Sequence, residues 1–311
     1  MKVLFVCSGN SPNVIGAVVA NQAEALTSHG VKVAFYPIKG KGFMGYIRHS
    51  FLLRKHLLTN SYDIIHAHYI LSALVATLSG SKPLVVSLMG SDLNIGKLVL
   101  KFVSFLNKNR WKNIIVKSDS MQKIVNLRNV QIIPNGVNLS LFYPADGHPL
   151  KSKFGFSEEK KTLLFIADPL REVKNFSLAE KAYRLLPKGK FELQVKYNLP
   201  RHIIPQILNA ADIILLTSCW EGSPNIIKEA MACNKPIVAT DVGDIAWLFG
   251  NEPGHFLTSF DPSDIAEKII LAYNYLCMFG QTTGRERILE IGLDSSTISQ
   301  RIIALYKSVL A

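Results

Sequence analysis

Thr217 to Asp244 reads TSCWEGSPNIIKEAMACNKPIVATDVGD. An apolar run over 213–217 ends at its first residue, and a second apolar run spans 236–240. Ser223 is a good helix N-cap, and Pro224 suits the first helical position of a segment reaching to about Cys233. The stretch therefore predicts strand, helix, strand. Both strands are continuously apolar rather than alternating, as parallel strands covered on both faces are.

The same unit recurs in both directions along the 311 residues. Strands are predicted at 2–7, 32–37, 63–69, 84–88, 113–117 and 130–133. Five more are predicted at 162–167, 191–196, 213–217, 236–240 and 255–258. Such repetition means doubly wound α/β. Eleven strands are more than one such sheet usually holds. A break at Ile133-Pro134-Asn135-Gly136-Val137, followed by the polar stretch Pro144 to Lys153, divides them six and five. The expected architecture is two Rossmann-like domains, 1–145 and 146–294, facing each other across a cleft. A last helix over 295–311 is expected to pack back on the first domain. Ligands in open α/β sheets bind at the carboxyl ends of the strands, so the loops there are the place to look.

In the opening stretch, free amides near Ser223 and Asn225 make a ready anion site. Glu221 stands before the helix. Glu229 lies within it, on the same face as Asn225 and Ile226. Carboxylates are strong acceptors suited to sugar and ribose hydroxyls. Alternatively, Glu221 is a surface acid complementing the helix dipole, and Glu229 is a partner for Lys228 or solvent.

Composition narrows the classes. Residues 1–150 carry 16 Lys/Arg against 5 Asp/Glu, and residues 151–311 carry 19 against 18. Nearly all of the net charge of +12 therefore sits in the first half. That half is expected either to meet something anionic (nucleic acid, an anionic membrane surface or a phosphorylated lipid substrate) or to carry its charge simply for solubility. The segments 39–58 and 97–112 are basic and amphipathic, which suits either an anionic bilayer or a core-facing helix with a solvated edge. No apolar run reaches the ~18 residues of a membrane span. Cys7, Cys219, Cys233 and Cys277 show no paired spacing, so reduced thiols and a cytoplasmic location are expected. The loop from Ser8 to Ala17 lacks Gly-x-Gly-x-x-Gly, which argues against a nicotinamide cofactor. Gly16 either presents amides to a phosphate or acceptor, or simply serves a turn.

Together these segments resemble glycosyltransferase family 4. The Glu-x7-Glu run EGSPNIIKE with AMACNKPIVATDVGD is similar to that family's donor-site region. Ile133 to Phe142 resembles its linker start, Asp63-Ile64-Ile65-His66-Ala67-His68 its His-x-His strand, and Ser87 to Asp92 its His-Gly-x-Asp loop. The resemblance implies a GT-B fold and retaining transfer from a nucleotide-diphospho-sugar to a glycan or lipid-linked acceptor. It implies that Glu229 holds the donor ribose and Glu221 the transferred sugar. It implies as well that Ser223, Pro224, Asn225 and Gly243 line the donor site. In the loop Phe165 to Phe176 the family places an Arg and a Lys on the diphosphate. Lys174 matches the Lys, Asp168 stands at the Arg position, and Arg171 is expected to take over. No metal and no cofactor are expected, because cations neutralise the leaving group.

The chain departs from the pattern at Met89, where a His is usual. A thioether is neither a base nor a strong acceptor. His68 is either near the acceptor or a packed strand-end residue. Asp92 is either a helix cap or an acceptor ligand. Asp244 replaces a glycine beside Gly243 and could narrow the choice of donor. Two other functions fit the same fold: a sugar-nucleotide epimerase and a non-catalytic nucleotide-sugar-binding protein. A nucleic-acid binder does not explain the paired glutamates.

Overall fold

The computed structural model describes residues 1–10, 14–40, 42–90, 104–106, 110–125 and 130–311. The chain divides into two compact units, Met1–Gly136 with Ser295–Ala311, and Val137–Asp294. The division at Gly136 precedes the position near 145 expected from turn residues. Residues after Gly136 are tied into the second unit. The Val137 amide donates to the Leu293 carbonyl at 2.9 Å. The Arg285 guanidinium donates to the carbonyls of Leu139 and Phe142 at 2.9 and 2.6 Å.

The first unit carries β1 (Lys2–Ser8), β2 (Lys32–Ile38), β3 (Ile64–His68), β4 (Leu84–Ser87), β5 (Asn113–Val116) and β6 (Val130–Ile132). They form one parallel sheet in the order β2-β1-β3-β4-β5-β6. The helices are α1 (Ala17–Ser28), α2 (Gly42–Thr59), α3 (Ile70–Leu78) and α4 (Asp119–Val125). Val3 to Val6, Ile64 and Val86 are fully buried, and Trp111 is buried in one core with Leu84, Ile114 and Met121. Each such aliphatic side chain contributes roughly 1.5–3 kcal/mol by leaving water.

The second unit carries α5 (His148–Phe154), β7 (Lys161–Phe165), α6 (Phe176–Arg184), β8 (Phe191–Val195), α7 (Ile204–Ala210), β9 (Ile213–Leu216), α8 (Asn225–Ala232), β10 (Ile237–Thr240), α9 (Ile245–Phe249), β11 (His255–Thr258), α10 (Pro262–Phe279) and α11 (Gly284–Glu290). Its parallel sheet runs β11-β10-β9-β7-β8.

The last helix, α12 (Ser295–Leu310), belongs to the first unit. It packs on α1, and His29 at the end of α1 bonds Ser296 at 2.9 Å. Arg301 donates to the Ile132 carbonyl at 2.6 Å. Counted by unit, the charge is sharply divided. The first holds 18 Lys/Arg against 4 Asp/Glu, the second 17 against 19.

Candidate functional site

In the second sheet the strand order reverses between β7 and β9. The loops leaving those two strands therefore lie side by side, in the position where open α/β sheets take ligands. They are stitched together. The Cys219 amide donates to the Val173 carbonyl at 2.9 Å, and the Thr217 hydroxyl lies 3.2 and 3.0 Å from the carbonyls of Lys174 and Asn175. Asn175, at φ 50°, closes the short turn Glu172–Lys174 in the left-handed region that asparagine tolerates. The result is a close ion pair. Lys174 Nζ lies 2.5 Å from Glu221 Oε1, with both side chains less than a fifth exposed. The Ser218 hydroxyl donates to the same oxygen at 2.8 Å.

Helix α8 follows. Its N-cap is Pro224, at φ −70° and ψ 117°, with no side-chain cap. Ser223, expected to cap the helix, does not. Its hydroxyl accepts from Lys228 Nζ at 3.2 Å instead, and the helix starts one residue later, at Asn225. The first-turn amides of α8 point past Pro224, as an anion site requires.

Glu229 is 7% exposed. Its carboxylate lies 3.0 Å from Arg201 Nη1. Burial pushes the carboxyl above its ordinary range, and the Arg201 charge and hydrogen bond pull it back. Arg201 sits in the loop after β8 and lies 5.1 Å from the Phe142 ring centroid. Sequence reasoning missed it, looking to Lys228 or solvent as Glu229's partner. Its one signal was its place at the carboxyl end of a strand. Two acid–base pairs, Glu221–Lys174 and Glu229–Arg201, thus involve the acids before and within α8.

The loop after β10 comes up against the first of these acids. Gly243, at φ 68°, lies so close that a Cβ there would stand 2.8 Å from the Glu221 carbonyl oxygen. The Thr240 hydroxyl donates to the Ser218 carbonyl at 2.7 Å. Asp244 beside it is buried.

Other expected residues are placed differently. Arg171 is exposed and pairs with no acid among the described residues. Asp168 shapes its loop by accepting from the Leu170 amide at 3.0 Å. In the first unit, Gly16 is the N-cap of α1 at φ −63°, a conformation open to any residue. His68 is fully buried, stacked 4.3 Å from His66 and tilted 4.5 Å from Phe5. Met89 is half-buried just after β4. Asp92 and Ser11 to Asn13 lie outside the described residues.

Comparison with known proteins bears on both units. Residues 3–141 match the model of Glycosyltransferase Family 4, and residues 161–274 match that of Glycosyl transferases group 1. A putative teichuronic acid biosynthesis glycosyltransferase of Bacillus subtilis is 26% identical over 234 residues, 67% of this chain and 60% of that protein. The Escherichia coli UDP-Gal:alpha-D-GlcNAc-diphosphoundecaprenol alpha-1,3-galactosyltransferase is 26% identical over 256 residues, 68% of this chain and 66% of that protein. The matches thus span somewhat under two thirds of either relative. Among solved structures, Anabaena HepE in complex with UDP superposes with a TM-score of 0.76 at 19% identity, covering 99% of this chain and 100% of that one.

Proposed function

The chain belongs to the family 4-like group of GT-B glycosyltransferases, and on that premise we propose that it moves a sugar, with retention, from a nucleotide-diphospho-sugar to a glycan or lipid-linked acceptor. The observation that carries this reading is a pair of acids, Glu221 before α8 and the buried Glu229 within it, each held by its own cation. A diphosphate placed at the first-turn amides of α8 has Glu229 for its ribose and Glu221 for its sugar. Lys174 is the cation nearest the bond that breaks. Charge grows on the leaving diphosphate in the transition state, and a preoriented ammonium stabilises it there without reorganisation. Arg171, on the same loop, is free to swing onto the outer phosphate. In this reading cations serve the leaving group and no metal is needed.

The acceptor reading draws on relatives and on charge. The E. coli relative is named for a diphosphoundecaprenol acceptor. The first unit's charge suits a partner rich in phosphate. Helix α2 contains no acid, and Met44, Phe51 and Leu58 on it are 74%, 71% and 80% exposed. Arg48 and Lys55 share that face by helical spacing. Such a stripe lies well on an anionic bilayer. Among the described residues no helix is long and apolar enough to cross one.

The test is a thermal-shift panel of nucleotide sugars, followed by product analysis with lipid-linked acceptors. A ligand that binds only the native state raises the melting temperature. Release of nucleoside diphosphate only when acceptor is added supports transfer over epimerisation. No shift with any nucleotide or nucleotide sugar sinks the proposal.

A further inference from the structure

Lys228 is the unexplained residue of α8. Its side chain is fully buried, so it can touch neither donor nor acceptor. Side chains of a helix lean toward its amino end, and Lys228 reaches back to the Ser223 hydroxyl at 3.2 Å. An ammonium there is doubly unfavourable, desolvated and close to the positive end of the helix dipole. Burial lowers its pKa to about 8, and the charges of Asp244 and Glu229 oppose that fall. A leucine would fill the space without either penalty.

Asp244 supplies the compensating charge from the other side. It is 8% exposed, and neither carboxylate oxygen has a hydrogen bond of ordinary geometry. Burial raises its carboxyl above the ordinary range, and the Lys228 charge and the Ser223 hydroxyl pull it part of the way back. Its neighbour Gly243 is the residue with no room for a Cβ beneath the backbone of Glu221 and Gly222. Lys228 bonds Ser223 and feels the charge of Asp244, so these residues relate three segments: the inside of α8, the turn before it, and the turn after β10. Glu221 hangs between the last two.

We propose that Lys228 is a positioning residue, drawing Ser223 and Asp244 together so that the Gly243 turn supports Glu221 from below and aims its carboxylate at the donor sugar. The proposal rests on the donor-site reading above, with Glu221 as the sugar ligand. A buried ion pair is poor evidence of stability, since apolar replacement is often neutral or better. Its service here is orientation, and orientation is separable from stability by experiment.

The experiment measures, by calorimetry, the affinities of UDP, GDP, UDP-glucose, UDP-galactose, UDP-N-acetylglucosamine and GDP-mannose. The proteins are wild type, Lys228→Met, Asp244→Asn and the double variant Lys228→Met/Asp244→Leu, each with its melting temperature. For the sugar nucleotide that wild type binds best, the ratio of its affinity to that of its bare diphosphate falls about tenfold in all three variants, the loss of one charged hydrogen bond. Affinity for the bare diphosphate stays within about twofold, because the hydrogen bond from Arg201 to Glu229 stays in place. The double variant regains melting temperature but not the ratio. A double variant with the wild-type ratio overturns the proposal, as does a parallel loss of diphosphate affinity. If wild type binds none of the six, the donor-site reading fails first and takes this one with it.

Discussion

The hydroxyl of Tyr306 lies 2.5 Å from Nδ1 of His66, and Nε2 of the same ring lies 2.8 Å from the hydroxyl of Ser87. All three side chains are fully buried. The last helix is thus fastened to the central strand of the first unit by a polar contact with no water to replace it. Tyr306→Phe leaves one ring nitrogen of His66 unsatisfied, at a cost of about 1–3 kcal/mol. Urea titration followed by tryptophan fluorescence should show an earlier midpoint. An unchanged midpoint would mean that the nitrogen finds another partner.

The two stacked histidines also set an acid limit. Burial lowers the pKa of His68 to about 3 and that of His66 well below its usual value, with the nearby Lys117 charge adding to both. Their folded values lie below the unfolded one, so the unfolded chain takes up protons that the native state refuses. Stability from this source is complete above about pH 6.5 and is lost as pH falls toward 3. His255 in the second unit, lowered to about 4 by burial, acts in the same sense. His68→Leu should flatten the fall in melting temperature between pH 6.5 and 4; a curve parallel to wild type counts against this assignment.

Lys174→Ala removes the ammonium bonded to Glu221. If that charge serves mainly the leaving diphosphate, kcat falls about a hundredfold. Donor affinity, measured separately, changes by less than about threefold. Equal losses in both would make Lys174 an ordinary binding residue.

Arg201→Ala strips the cation from a carboxylate that burial already disfavours. Glu229 should then protonate more readily, and the carboxylate proposed to take the ribose should persist only at higher pH. UDP affinity is expected to fall about tenfold near neutrality and to recover partly as pH rises. A pH-independent loss would point to a direct contact between Arg201 and the nucleotide.

Replacing Met44, Phe51 and Leu58 together by serine should release the protein from anionic vesicles while leaving the melting temperature nearly unchanged. These side chains are exposed, and surface changes are usually within about 0.5 kcal/mol. Co-sedimentation at rising salt measures it. Wild-type binding that ignores both salt and the substitution would leave α2 without this role.

Much of this was legible before any coordinates. The eleven strands of the described residues were visible, most of them because parallel strands buried on both faces are written as unbroken apolar runs, as in Ile213 to Leu216. The site helix was visible because Pro224 and the spacing of Glu221 and Glu229 are local signals. What lay hidden depends on pairings between distant segments. Arg201 stands 28 residues before Glu229, with no motif joining them. Ser223 has the right side chain for a cap, but the lysine five residues on claims its hydroxyl. The division at Gly136 turns on Val137 finding Leu293, far beyond any local pattern.

Because Ser295–Ala311 completes a unit otherwise made of Met1–Gly136, that unit is discontinuous along the chain. A ribosome therefore delivers its closing helix only after the whole second unit has emerged. Until then His66 and the face of α1 have no partner from that helix, and the nascent first unit is the stage at which a holding chaperone has most to cover. A premature stop just before Ser295 would spare every residue proposed above for the donor site and still leave the polypeptide prone to degradation.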